Sequence, residues 1–259
     1  EREGSFFYTK TPTTHHDLAQ GVLNGLEDIL RLAGTSIKDI DYIIHGPTIG
    51  TDAIVEGKGA RVGLITTAGF EDVLEIRRVA RPKEAAFDFG ADNPPPLVPR
   101  YLRKGVKERI NKDGQVVVPL DENSVIEVID HFSEQRVEAV VIGLLFSFLN
   151  PRHEMRVAEL CRNSLPGIPV SISSEICPEF REYERASTTV VNAFVGPTVA
   201  RYLRDLEAGL RPLIQVLPVN GTGRDKVLSH PRCIIRLIET NRLQEYFKFN
   251  GFGHAALRI

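Results

Sequence analysis

The sequence predicts an α/β protein in which helices cover a buried sheet, and three observations predict it. Through residue 77, apolar strand-like runs alternate with helical ones, which is the rhythm of a layered sheet rather than a bundle. Residues 139–146, Ala-Val-Val-Ile-Gly-Leu-Leu-Phe, form a continuous apolar run suited to a strand buried on both faces. Leu18, Val22, Leu26, Ile29 and Leu30 recur at the spacing of one helix face.

The elements follow in order. Residues 5–10 are short and β-prone, and Thr13 or Thr14 can cap the helix holding Leu18 to Leu30, which Gly34 should end. Residues 41–45 read as a short buried strand. Thr48 then caps a second helix through Val55, with Gly57 and Gly59 breaking it. Residues 61–67 give another strand and residues 70–77 a short helix. From Arg78 to Pro99 the pattern fails, and Pro94, Pro95, Pro96 and Pro99 enforce an irregular extended insertion. Residues 101–110 and 115–120 flank Asn111-Lys112-Asp113-Gly114, a hairpin signal. A helix over 123–135 precedes the 139–146 strand. Pro151 opens a helix to Asn163, residues 168–173 form a strand, and residues 186–208 a helix interrupted at Gly196-Pro197. Residues 210–217 read as a strand and 220–223 as a turn, while 224–259 show only weak periodicity.

Composition narrows the function. A charged fraction of 25% and a formal net charge of −2 are those of an ordinary globular protein and give no electrostatic case for nucleic acid or an anionic membrane. No apolar run approaches the ~20 residues that span a bilayer. The polar start reads as lacking a secretory signal, and Cys161, Cys177 and Cys233 show neither metal nor disulfide spacing. A cytoplasmic protein with reduced thiols, no metal site, no nucleic acid and no membrane is expected.

The most informative stretch runs from Glu175 to Pro197. A block of alternating charges, with Arg181 and Arg185 one helical turn apart, leads into Ser187, Thr188 and Thr189 and then into an apolar segment holding Asn192. Those hydroxyls could cap the following helix and, with its backbone N–H groups, hold an anion. A solvated charged face is the alternative. His45-Gly46-Pro47-Thr48 meets a helix at the end of a buried strand, where ligands collect in open sheets. A capped turn with a buried, satisfied histidine is the simpler explanation of the residues. Thr66-Thr67-Ala68-Gly69-Phe70 repeats the pattern and reads more simply as a cap. Arg77, Arg78 and Arg81 could hold a carboxylate or phosphate, or line a solvated face. Phosphate-loop, nucleophile-elbow and zinc-helix motifs are absent.

Taken together, these segments resemble the hydantoinase A/oxoprolinase family. The resemblance rests on residues 45–53 (His-Gly-Pro-Thr-Ile-Gly-Thr-Asp-Ala), 58–76, 94–100, 119–122, 144–151 and 174–197. It implies an actin-like, sugar-kinase-like ATPase fold using ATP and Mg2+. It implies ATP-dependent opening of a cyclic amide, such as hydantoin or 5-oxoproline, through phosphorylation of the amide oxygen. That chemistry is mostly positioning and charge stabilisation. By the same resemblance His45, Thr48, Thr51, Asp52, Arg181 and Arg185 are expected at the catalytic site. Ser187, Thr188, Thr189 and Asn192 are expected to bind the cofactor. A homo-oligomer with a hydantoinase B-type subunit or domain is implied as well. Residues 1–210 would be the family's N-terminal region, read as α/β subdomains 1–100 and 101–210, and 211–259 a divergent tail or the start of a second lobe.

The departures set up the competing readings. The family's Asp-x-Gly-Gly-Thr-Phe-Thr-Asp phosphate turn does not occur in the sequence, Pro47 removes a hydroxyl and an N–H, and Asp52 brings a charge where an amide is usual. The fold therefore reads as incomplete and the chain as inactive alone. A non-catalytic remnant, an assembly subunit, or a subunit of an ATP-dependent ketone carboxylase are the alternatives.

Overall fold

In the computed structural model the described residues are 6–14, 16–40, 42–43, 45–79, 88, 90, 95–211, 225–230 and 233–238. They fall into two compact units, one drawn from Glu1–Gly50 and Thr198–Arg242, the other comprising Thr51–Pro197. This division differs from the 1–100 and 101–210 split expected from sequence.

The Thr51–Pro197 unit carries the parallel sheet. Strands β2 (Val62–Thr67), β3 (Arg103–Val106), β6 (Ala139–Gly143) and β7 (Val170–Ile172) lie in the order β3-β2-β6-β7, all parallel. Every residue of β2 and β6 is buried, as the apolar run of β6 and the mostly apolar run of β2 require, β2 ending in the buried Thr66 and Thr67. Helices α4 (Glu122–Glu134) and α5 (Arg152–Ser164) pack on each other; α4 also meets β3, and α5 meets β6 and β7. The Phe132 ring sits so close to Gly63 that a Cβ there would lie 2.6 Å from it, which is why that strand position takes glycine.

The expected strand at 101–110 is two strands. Residues 103–106 join the main sheet, where Gly105 lets the chain run against the Ala68 backbone. β4 (Arg109–Ile110) forms the hairpin with β5 (Val116–Val118). Gly114 turns it at φ 75°, and the Asn111 side chain accepts from the N–H groups of Asp113 and Gln115. The 70–77 helix is shorter than expected: α3 covers Val73–Ile76, and Arg77, Arg78 and Val79 follow at left-handed φ values of 51°, 54° and 58°. After β7 come α6 (Ser173–Ile176) and α7 (Glu182–Leu210). α7 begins earlier than expected and continues through Pro197. A proline inside a helix costs about 3 kcal/mol, and the burial of Val190, Phe194 and Val195 before it and Val199, Tyr202 and Leu206 after it offsets that cost.

The other unit is built on α1 (Leu18–Ala33). Asp17 rather than Thr13 or Thr14 caps it, its side chain accepting from the Gln20 N–H, and Gly34 closes it in the left-handed conformation. Ala19, Tyr202, Leu206 and Leu210 form its core, with Val22, Leu26 and Ile43 packed against them. Residues 6–10 are not a strand. β1 (Tyr42–Ile43) pairs in parallel with β9 (Cys233–Ile238), which is antiparallel to β8 (Asp225–His230). That hairpin lies within residues 224–259, whose periodicity is weak. The strand expected at 210–217 does not begin where expected, since Leu210 is the last residue of α7 and Arg211 a turn; its remainder, the turn expected at 220–223 and the rest of the tail lie outside the described residues, as does most of the proline-rich insertion.

Candidate functional site

Ligands of open parallel sheets collect beyond the carboxyl ends of the strands, and here that edge is densely polar. Thr66 at the end of β2 donates to the Gly143 carbonyl of β6 at 3.0 Å. Its neighbour Thr67 accepts from the Leu145 N–H at 3.0 Å and donates to Glu108, whose other oxygen lies 2.8 Å from Nδ1 of His153. The next group centres on Glu154, fully buried at the start of α5. It accepts from the Leu144 N–H at 2.8 Å, the Ser173 hydroxyl at 2.6 Å and the Ser174 N–H at 2.9 Å.

Arg185 completes this lattice. Its Nε donates to the Ser173 hydroxyl at 2.9 Å, one terminal nitrogen to the Glu179 carbonyl at 3.2 Å, and the other to the Leu144 carbonyl. The guanidinium lies 5.4 Å from the Phe148 ring centroid. Burial pushes the Arg185 pKa down, opposed by the charges of Glu154, Cys177 and Glu182. With its side chain buried and its donors engaged, Arg185 ties the loop after β6 to the segment after β7.

Arg181, one turn away, behaves differently. It is exposed at φ 77°, lies 5.0 Å from the Phe180 ring centroid and 3.7 Å from Glu184. Arg78 reaches the same Glu184 oxygen at 2.5 Å. Arg78 follows β2 and Arg181 follows β7, the two strands on either side of β6, so two segments distant in sequence converge on one carboxylate. Two arginines before and at the start of β3 reach acids that follow β2: Arg100 pairs with Asp72 and Arg103 with Glu75, each at 2.5 Å, and Arg103 also lies 3.7 Å from the same Asp72 oxygen.

The other expected site residues are dispersed. Ser187, Thr188 and Thr189 lie inside α7, not at its cap. Ser187 donates to the Glu184 carbonyl at 3.2 Å and Thr189 to the Arg185 carbonyl at 2.7 Å, as hydroxyls within a helix commonly do. Asn192 donates to the Ser171 hydroxyl at 3.1 Å. Thr48 precedes α2 (Ile49–Glu56), and Thr51 and Asp52 sit exposed in its first turns. His45 belongs to the α1-based unit, where its Nε2 meets the Tyr202 hydroxyl. Burial lowers the His45 pKa and raises that of Tyr202 to about 12. His45 also borders a cavity of about 400 Å3 lined mainly by apolar side chains, including Val22, Leu26, Ile29 and Leu206. Among the described residues no group of three His, Cys, Asp or Glu side chains is placed to hold a metal. Burial drives the Cys161 thiol up to about 12, which removes it as a nucleophile.

Sequence reasoning passed over Glu108, His153 and Glu154. A signal existed: the buried stripe of α5 is His153, Glu154, Val157, Ala158 and Cys161, so helical spacing alone puts two polar residues at the head of an apolar face.

The family model for the hydantoinase/oxoprolinase N-terminal region matches residues 1–165. The chain belongs to the hydantoinase/oxoprolinase family. Within it, the chain is 40% identical over 214 residues to caprolactamase subunit alpha of Pseudomonas jessenii, covering 80% of this chain and 30% of that subunit. The crystal structure of the ATP-dependent caprolactamase from the same organism superposes with a TM-score of 0.75 at 39% identity, over 82% of this chain and 31% of that one. Nucleotide-free acetone carboxylase, from work on ATP-dependent acetone carboxylation, superposes at 0.67 with 26% identity, over 83% and 33%. The chain thus spans about a third of these relatives, and no helix among its described residues is long and apolar enough to cross a membrane.

Proposed function

We propose that the chain is the part of an ATP-dependent cyclic-amide hydrolase, with an actin-like fold, that positions oxyanions at the carboxyl edge of its parallel sheet. One observation carries the reading. The family-like segments after β2, β6 and β7, distant in sequence, converge at that edge and bring arginines and hydroxyls with them. ATP, when bound, supplies the phosphoryl group that makes an amide oxygen a leaving group. Arg78 and Arg181 suit an oxyanion because guanidinium groups match phosphate geometry. Arg185, Ser173 and Glu154 hold the loops in place, and positioning is most of what phosphoryl transfer asks of a protein. The described side chains offer no ready Mg2+ cage, so that ion would be held chiefly through phosphate oxygens and water. Assembly into a homo-oligomer with a B-type subunit belongs to the same reading.

The test grafts this chain in place of the matching segment of the Pseudomonas jessenii caprolactamase subunit alpha and measures phosphate release with and without caprolactam, 5-oxoproline or hydantoin. Cyclic-amide-dependent release is expected, falling about tenfold or more when Arg181→Ala removes a charge-assisted contact. A folded, assembled chimera without such release sinks the hydrolase reading. The likeness to acetone carboxylase keeps a carboxylase subunit as the second reading, which release dependent on acetone and bicarbonate would favour.

A further inference from the structure

Glu184 occupies a position that a ligand oxyanion would fill equally well. Two guanidinium groups from separate segments converge on its Oε1, Arg78 at 2.5 Å and Arg181 at 3.7 Å. Its Oε2 is buried and has no partner among the described residues, so the carboxylate fits this place imperfectly. The three side chains nevertheless remain 47%, 48% and 37% exposed, so solvent and solutes reach them. Arg78 and Arg181 are both held at left-handed φ, a conformation that costs energy in residues other than glycine and that collects at ligand clamps. Burial alone would raise the Glu184 pKa. Its own backbone amide and the charges of Arg78 and Arg181 outweigh that and hold the carboxyl ionised, below its ordinary range.

The neighbouring arginines are less open to a ligand. Arg185 spends its donors on Ser173, Glu179 and Leu144 inside the lattice, and Arg103 is buried against Glu75. Arg100 and Arg103 also share a carboxylate oxygen, Asp72 Oδ1, at 2.5 and 3.7 Å, but Arg103 is fully buried there, whereas Arg78 and Arg181 are both about half exposed and both at left-handed φ.

We propose that Arg78 and Arg181 form a clamp for a phosphate-class oxyanion, with Glu184 as an internal placeholder that a ligand displaces. The choice of phosphate rests on the phosphoryl-transfer reading above; the clamp itself rests on the convergence of the two arginines. A tetrahedral oxyanion offers each guanidinium an oxygen pair, which the single shared Oε1 of Glu184 does not.

Calorimetric titration of inorganic phosphate into the full 259-residue chain tests this without requiring any turnover. Glu184→Gln removes the competitor and should tighten phosphate binding by about tenfold, the scale of one charge-assisted contact. Arg78→Ala and Arg181→Ala should each weaken it by a similar factor, and the double variant should abolish it. Thermal melts by circular dichroism accompany each variant. If Glu184→Gln does not fold, the two arginine variants decide alone. Phosphate affinity unmoved by either arginine overturns the clamp. Acetate binding as tightly as phosphate to Glu184→Gln overturns the phosphate assignment and leaves a carboxylate site. These outcomes are separable from those of the chimera assay, which reads turnover.

Discussion

The two compact units bury polar side chains in opposite ways. In the sheet-bearing unit, Arg185, Ser173, Glu154 and the Leu144 backbone satisfy one another in a closed lattice where nearly every donor has an acceptor within hydrogen-bonding distance. In the α1-based unit, the contact between His45 and Tyr202 stands at the edge of an apolar core, with His45 beside a cavity. A satisfied lattice resists rearrangement, because removing one member strands the others away from water. An isolated pair depends little on its neighbours. Charge in the first unit is therefore fixed scaffold, and the groups free to meet a ligand are those at its rim.

Breaking the lattice should produce the largest effect. Glu154→Gln keeps the shape but turns an amide group toward one of its N–H or O–H donors and leaves the Arg185 charge without its nearest buried counterion. A loss of about 3–5 kcal/mol is expected, as for other buried pairs that lose one partner. Urea unfolding followed by circular dichroism measures it. A loss below about 1 kcal/mol would mean the lattice is no tighter than a surface contact.

The isolated pair should respond less. Tyr202→Phe removes one hydrogen bond and is expected to cost about 1 kcal/mol at pH 7.5. The pH dependence has a definite sign. Burial lowers the His45 pKa from 6.5, so the folded state resists a proton that the unfolded chain accepts. The His45 contribution is therefore fully present above pH 6.5 and is lost as pH falls toward the depressed folded value. Because burial causes the shift, that acid sensitivity should survive in Tyr202→Phe. Urea midpoints at pH 7.5 and 5.5 for both proteins decide it, and a midpoint that rises on acidification would contradict the assignment.

The same contrast explains how much could be read in advance. Helices α1, α4 and α5 and strands β2, β6 and β7 were legible because burial of one face imprints a period on the chain, or an unbroken apolar run where both faces are covered. The continuation of α7 through Pro197 was not, because proline is a local signal and the burial that overrides it is tertiary. The 101–110 segment misled for the same reason, since the choice of β2 as the partner of residues 103–106 is long-range. At the candidate site, Arg181, Arg185 and Asn192 stood out as unusual side chains in one short stretch. Their different fates did not: sequence places two arginines four apart but does not tell which faces inward. Glu154 looked like an ordinary acid in the first turn of a helix, where such residues are common on dipole grounds alone.

The smallest effect sharpens the comparison from the other side. Arg156 has as rich a set of acceptors as Arg185: both Glu122 oxygens at 2.7 and 2.9 Å and Glu159 at 2.7 Å. Its bond to Glu122 joins α5 to α4, and the hydrogen bonds from Arg156 hold the Glu122 pKa below its ordinary value. All three side chains are open to water, which solvates the separated ions nearly as well as they solvate each other. Arg156→Ala should therefore leave the urea midpoint within measurement error, and raising the salt should erase any residual difference. If it instead destabilises the chain as much as Glu154→Gln, the number of contacts and not their burial governs the energetics, and the distinction between fixed lattice and solvated rim that assigns Arg181 and Arg185 different roles falls with it.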